Sequence, residues 1–342
     1  FFAQRTAAGA VALLLARRTA VLAQAGRRTA AGWHVAAMAV LVLLVAGEGA
    51  ARAVNVISPH IQGAPTRSAA LWTSRYVSLN RDGFRDTDWR AAASKQLRIV
   101  ALGDSFTFGY GINRAEDRFT EVAERSLATG GWPIRVFNAS RPDAHTRDEI
   151  DILDTATQLG AQLVVVAYVF NDIDEAAPPP PDPIFGRGGR FHQRDLARMV
   201  LSTSHLANEF ILRLRAVALN GRGDHYLEAY RDGATLNAHL DTLAALAQKA
   251  RAAHAEFRLV PFDIEPRRSA EYLARDVAFL SACESRGIST WNLLHTFDGA
   301  AYDDLIVNKW DHHPNVLAHR SFGLALADRI AHDSTLSQLR NP

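Results

Sequence analysis

From Ala30 to Ala51 the chain reads AAGWHVAAMAVLVLLVAGEGAA, apolar except for His34 and the late Glu48. A run of that length reaches across a bilayer when its ends sit among the headgroups, and no other feature limits the fold as strongly. Arg5, Arg17, Arg18, Arg27 and Arg28 precede it, and only Arg52 follows closely. This asymmetry predicts a basic cytoplasmic segment over 1–29, a single-pass transmembrane helix over 30–51, and a remainder on the extracytoplasmic side. Two other readings stay open: a cleaved signal peptide with Gly-Glu-Gly-Ala as its small-residue site, and a buried core helix. The earlier run AAGAVALLLA is too short to span.

Residues 52–95 hold no strong period and contain Pro59 and Pro65, which predicts an extended connecting segment. After it the pattern changes. Leu97 to Leu102, Ile134 to Phe137, Leu163 to Val169, Phe257 to Pro261 and Ser289 to Leu294 are short runs rich in Val, Ile and Leu, as in strands buried on both faces. Helical periods lie between them: Phe119, Val122, Ala123 and Leu127, stopping at Gly130-Gly131; Leu236, Leu240, Leu243, Ala247 and Ala250; and Leu317, Phe322 and Leu324 near the end. Strands alternating with helices imply a mostly parallel five-stranded sheet between two helical layers, a three-layer α/β/α sandwich over 96–342. The run Pro178 to Pro181 opens an insertion to about Asp232, with a helical stretch from Arg194 to Leu219, that either covers a site or decorates the domain.

With 342 residues, 48% of them hydrophobic and 22% charged, the chain can bury a sizeable core. A net charge of +2 and scattered arginines give no nucleic-acid footprint. Cys283, the single cysteine, excludes an internal disulfide and lies in an apolar helical context, where an inert buried thiol is expected. No metal or organic cofactor is implied: there is no His-Glu-x-x-His, no calcium loop, and Gly109-Tyr-Gly111 lacks the third glycine of a dinucleotide fingerprint.

In the stretch VALGDSFTFG, Val100 to Gly109, a serine stands where the first apolar run ends. In such a sheet, ligands sit beyond the carboxyl ends of the strands, and a helix N-terminus there favours an anion. Ser105 is therefore either a nucleophile or a helix cap, for which serine is a common choice. A nucleophilic serine needs a base and an orienting acid. Lys309-Trp-Asp-His-His-Pro-Asn315 offers them, with Asp311 and His313 two residues apart in a turn held by Pro314.

Taken together, GDSFTFG, the isolated Asn171 after LVVVAYVF, and DHHPN near the C-terminus resemble three of the four sequence blocks of the SGNH, or GDSL, hydrolase family, in order. The lead-in SLNRDGFRDTDW, Ser78 to Trp89, and the Glu-x-x-x-Arg closing the apolar helix are similar to membrane-anchored members. The likeness runs from about Tyr76 to Ala331, and the Gly-x-Ser-x-Gly elbow of the other serine-hydrolase fold is absent. It implies the family's flavodoxin-like sandwich, with Ser105 attacking an ester carbonyl, His313 as base and Asp311 as its orienting acid. The oxyanion donors would be the Ser105 N–H and the Asn171 amide; for Asn171 the other reading is an Asx-turn cap. His312 is the rival of His313, set aside because the family's base directly precedes the Pro-Asn pair.

Two departures stand out. Asp143 aligns best with the family's second-block glycine, whose N–H is a further oxyanion donor; Ser140 is the other candidate. If that turn needs a positive φ, Asp costs more than Gly, and its carboxylate repels a developing oxyanion. The acid also stands two residues before the base rather than three. The resemblance implies an extracytoplasmic serine acyl or acetyl esterase working through an acyl-enzyme on small-molecule, lipid or polysaccharide esters. The alternatives are an O-acyltransferase on envelope polysaccharide and an inactive glycan-binding relative.

Overall fold

The computed structural model describes residues 2–26, 28–57, 67–91, 96–180, 203–219, 224–309 and 311–337. They form two compact units, one drawn from Phe1–His60, Pro65–Ala70 and Pro183–Asn220, the other from Ile61–Ala64, Leu71–Asp182 and Gly221–Pro342.

In the first unit, α1 (Phe2–Gln24) packs against α2 (Arg28–Ile57). Within α2 the segment Thr29–Val54 is long and apolar enough to cross a membrane, and only 6% of its apolar window is buried, so it is not a core helix. The expected helical insertion is represented by α7 (His205–Leu219), which packs on α2; the expected stretch 194–202 and the Pro-rich loop after Pro180 lie outside the described residues. Among the described residues of 52–95, α2 continues to Ile57, and α3 (Arg67–Tyr76) forms a further helix. Trp72, Phe84 and Trp89 are buried, and their apolar surface holds this part of the chain in the second unit.

The second unit is built on a parallel sheet of four strands, β1 (Leu97–Gly103), β2 (Ile134–Ser140), β3 (Leu163–Tyr168) and β4 (Glu256–Pro261), in the order β2-β1-β3-β4. This is the doubly wound flavodoxin-like order, with a topological switch at β1 and β3. Alternate residues of β1 serve two cores. Ile99 and Ala101 meet α5 (Phe119–Thr129) and α11 (Val316–Ala331) through Phe119, Leu127, Phe322 and Ile330. Val100 and Leu102 join the cluster with α6 (Thr146–Thr157), α8 (His225–Arg231), α9 (Gly233–Ala252) and α10 (Ala270–Ser285). A strand buried on both faces must be apolar throughout, which is why these runs do not alternate.

The sheet has four strands, not five. At the fifth position Leu259 pairs with Thr290 in one isolated parallel bridge, with Leu259 N–H donating to Ser289 O and Trp291 N–H to Leu259 O. The chain then turns away because the Asn292 side chain accepts the Leu294 N–H at 3.1 Å and starts a 3-10 turn, Leu294–Phe297. A second difference concerns α11: Phe322 is buried, but Leu317 and Leu324 face outward, and Ala318, Leu326 and Ile330 carry the inner face. Gly323 lets α11 approach α5, since a Cβ there would lie 2.7 Å from the Phe119 carbonyl oxygen. Cys283 is fully buried, and burial pushes its thiol up to about 12.

Candidate active site

β1 ends in Gly103-Asp104-Ser105, and each residue has a local reason to be there. A Cβ on Gly103 would fall 2.1 Å from Thr107 Oγ1, so only glycine lets the next turn fold back on the strand end. Asp104, not Ser105, is the N-cap of α4 (Ser105–Phe108): its carboxylate accepts the Phe106 N–H at 2.8 Å. That frees the Ser105 side chain, and α4 ends at Gly109 in the left-handed conformation with φ 72°.

Asp311 and His313 lie on an antiparallel pair, β5 (Ile306–Asn308) with β6 (Asp311–Pro314), rather than in the turn that the sequence predicts. Successive side chains of a strand point to opposite faces, so Asp311 and His313 share one face and His312 takes the other. His312 is exposed beside Tyr302. His313 Nδ1 is 2.5 Å from Asp311 Oδ1, which also accepts the His313 N–H at 3.1 Å. Its Nε2 is 3.0 Å from Ser105 Oγ. Asn315 caps α11 by accepting from Leu317 and Ala318 N–H and donates to the Asp304 and Ile306 carbonyls, tying the helix start to β5. Phe106 and Tyr110 pack on the imidazole, with ring centroids 5.6 and 5.0 Å away.

The electrostatics follow from burial and charge. Burial disfavours the imidazolium, but the hydrogen bond and charge of Asp311, with smaller effects from Asp104 and Asp143, hold His313 above the ordinary histidine value. Asp104 is raised by burial, against the hydrogen bonds from Phe106, Asn171 and Ser105 and the charge of His313.

Asn171 is the second residue of the 3-10 turn Phe170–Glu175 after β3, and its Nδ2 donates to Asp104 Oδ2 at 3.2 Å. Its Oδ1 is buried without a partner among the described residues. The same Asp104 oxygen lies 3.4 Å from Ser105 Oγ, so the amide is beside the serine but engaged by a carboxylate. Asp143 is one of two non-glycine residues with positive φ among those described, at 61°. It is exposed, in a turn where Ala144 N–H donates to Arg141 O at 3.2 Å. Ser140 is buried in β2 and donates its hydroxyl to Asn138 Oδ1.

Two features escaped the sequence reading. Arg85, in the lead-in segment, is buried and its guanidinium donates to the carbonyls of Gly109 at 2.8 Å and Ile112 at 2.7 Å, bracing the loop after α4. Glu149 and Asp172 are buried carboxyls, and both are raised by burial and by the charges of Asp104 and Glu175, Asp172 also by that of Glu149. Glu149 occupies the apolar stripe of α6, three and four residues before the buried Ile152 and Leu153, which was its legible signal.

No family model matches the sequence, and no curated protein matches it. Among solved structures, the chain is similar to lipolytic proteins and esterases of the G-D-S-L type. A catalytic mutant of the acetylxylan esterase Axe2 from Geobacillus stearothermophilus is 15% identical, with a TM-score of 0.42 over 71% of this chain and 97% of that one. A member of the lipolytic protein G-D-S-L family from Veillonella parvula DSM 2008 is 11% identical, with a TM-score of 0.41 over 69% and 99%. The lipase/acylhydrolase from Enterococcus faecalis is 14% identical, with a TM-score of 0.41 over 68% and 94%.

Proposed function

We propose that this protein is an SGNH-type serine hydrolase of carboxylic esters, anchored by α2 with its hydrolase unit on the extracytoplasmic side. One observation carries the catalytic reading: Ser105 Oγ, His313 and Asp311 form a continuous relay with links of 3.0 and 2.5 Å. In that relay His313 Nε2 takes the serine proton as Oγ attacks the ester carbonyl carbon. The carbonyl electrons move to oxygen, where the Ser105 N–H at the start of α4, the Asn171 amide and the backbone N–H of Asp143 are the proposed donors. His313 then gives its proton to the departing alcohol, leaving an acyl-serine. Water enters, loses a proton to His313 and attacks the acyl carbon; the bond to Ser105 Oγ then breaks as His313 returns that proton to Oγ, and the acid leaves. Asp311 fixes the imidazole with Nδ1 protonated, so that Nε2 is the accepting atom.

The anchor is supported by the arginines ahead of α2 and by Glu48. Its carboxylate accepts from Ser204 Oγ at 2.8 Å, His205 N–H at 3.1 Å and Leu206 N–H at 3.0 Å, so cleavage at the Gly-Glu-Gly-Ala site would break up the start of α7. Labelling of the full chain by a fluorophosphonate tests the catalytic reading. Labelling of the wild type that is lost in both Ser105→Ala and His313→Ala supports it, whereas a folded wild type that does not label refutes it and favours a binding protein.

A further inference from the structure

Helix α7 has two unlike faces. His205, Asn208 and Leu212 are buried, and Leu206 packs over Gly47 of α2, where a Cβ would come within 3.2 Å of its Cδ2. The opposite face carries Phe210, Leu214 and Val217, spaced to form one stripe and exposed by 66%, 44% and 73%. Three large apolar side chains in a row on a short helix are costly in water.

The position of this helix names what covers the stripe. Glu48, which holds the start of α7, lies in the last turns of the apolar segment Thr29–Val54. There the hydrocarbon of a bilayer gives way to headgroups, and α2 itself still exposes Val45 and Val54 on either side of Glu48. Both sets of exposed apolar side chains belong to the same unit. Arg213, 69% exposed in its side chain, flanks the stripe and pairs with Glu209 at 3.4 Å, which suits a cation reaching from the edge of an apolar face to headgroups.

We propose that α7 is an interfacial helix, held by the Glu48 clasp at the end of the membrane span, with the Phe210, Leu214 and Val217 face in lipid and Arg213 at the headgroups. The proposal rests on the reading of α2 as a membrane anchor. Its physical content is an amphipathic helix in the bilayer surface, a second lipid contact besides the span.

The test is spin labelling of the full chain, with Cys283→Ala as background, in vesicles of phosphatidylcholine and phosphatidylglycerol. Labels at Phe210→Cys, Leu214→Cys and Val217→Cys are compared with Arg213→Cys and, in the span, Leu43→Cys. Each is read by its collision with oxygen, which partitions into lipid, and with a water-soluble nickel chelate. The expected result is an oxygen-to-nickel ratio severalfold higher at the three stripe positions than at Arg213, and highest at Leu43. A lipid-like Leu43 with water-like stripe positions overturns the interfacial helix and leaves the anchor standing. Stripe positions shielded from both reagents also overturn it, in favour of a protein partner or a second copy on that face. A water-like Leu43 overturns the anchor and the proposal together.

Discussion

The two sides of the candidate site are prepared to different degrees. On one side Ser105, His313 and Asp311 already form a relay, and each is fixed by neighbours: the Asp104 cap, the β5–β6 pair and the Asn315 cap. On the other side the Asn171 amide is turned onto Asp104, and Asp143 holds a left-handed backbone that costs an ordinary L-residue roughly 1–2 kcal/mol, less for Asp. Proton transfer needs a preset line of atoms, and the relay has one. Stabilising the oxyanion needs donors that face a charge absent from the resting protein, and a free Asn171 amide would be unsatisfied without it. The difference teaches that the Ser105–His313–Asp311 line is preset in the resting protein, while on the proposed reading the Asn171 and Asp143 donors await the charge that substrate brings.

Mutations rank this contrast. Ser105→Ala should lower kcat for a short nitrophenyl ester by roughly 10⁶-fold, with far-ultraviolet circular dichroism unchanged. Retention of most activity would dismantle the nucleophile side altogether. Asp311→Asn should lower kcat by about 10⁴-fold, because the imidazole loses its orientation and the support of its charged form. Asn171→Ala should cost about 10² to 10³ in kcat with little change in KM, since the amide acts only once it leaves Asp104 for the oxyanion. A change confined to KM would instead make Asn171 a ground-state contact.

The smallest effects belong to Asp143. Asp143→Asn keeps a side chain that tolerates the left-handed backbone but removes the charge, so the His313 limb of the kcat/KM profile should move to lower pH, by less than a full charge partner such as Asp311 would move it. An unmoved limb would place Asp143 outside the site's field. Asp143→Gly relieves the backbone as well, with a stabilisation on the order of 1 kcal/mol in urea melts.

The same imidazole links activity to stability with opposite signs. Its folded pKa is raised, so the ion pair with Asp311 contributes fully below the ordinary histidine value and is lost as pH rises through the folded one. Activity requires the neutral base. From about pH 6.5, the ordinary histidine value, upward through the raised folded one, Tm should therefore drift downward from this group while kcat/KM climbs, and Asp311→Asn should flatten the drift. Parallel melts and rate profiles measure both.

Much of this architecture was legible in the chain, because periodicity and capping act over a few residues. The apolar runs gave β1 to β4, Gly130 ended α5, and the two-residue spacing of Asp311 and His313 suits a strand as well as a turn. What the tertiary structure decided depends on residues far apart in sequence. Ser105 and His313 are 208 positions apart, and only the packed chain brings them to 3.0 Å. The fifth strand shrank to the single bridge of Leu259 with Thr290 before the 3-10 turn Leu294–Phe297, and Leu317 and Leu324 were left outside by the particular way α11 meets α5. The burial of Glu149 and Asp172 and the clasp of Glu48 on α7, more than 150 residues away, were likewise beyond any local pattern. A sequence sets which groups are apolar and which can ionise; burial, charge proximity and loop closure across long separations exist only once the chain has packed.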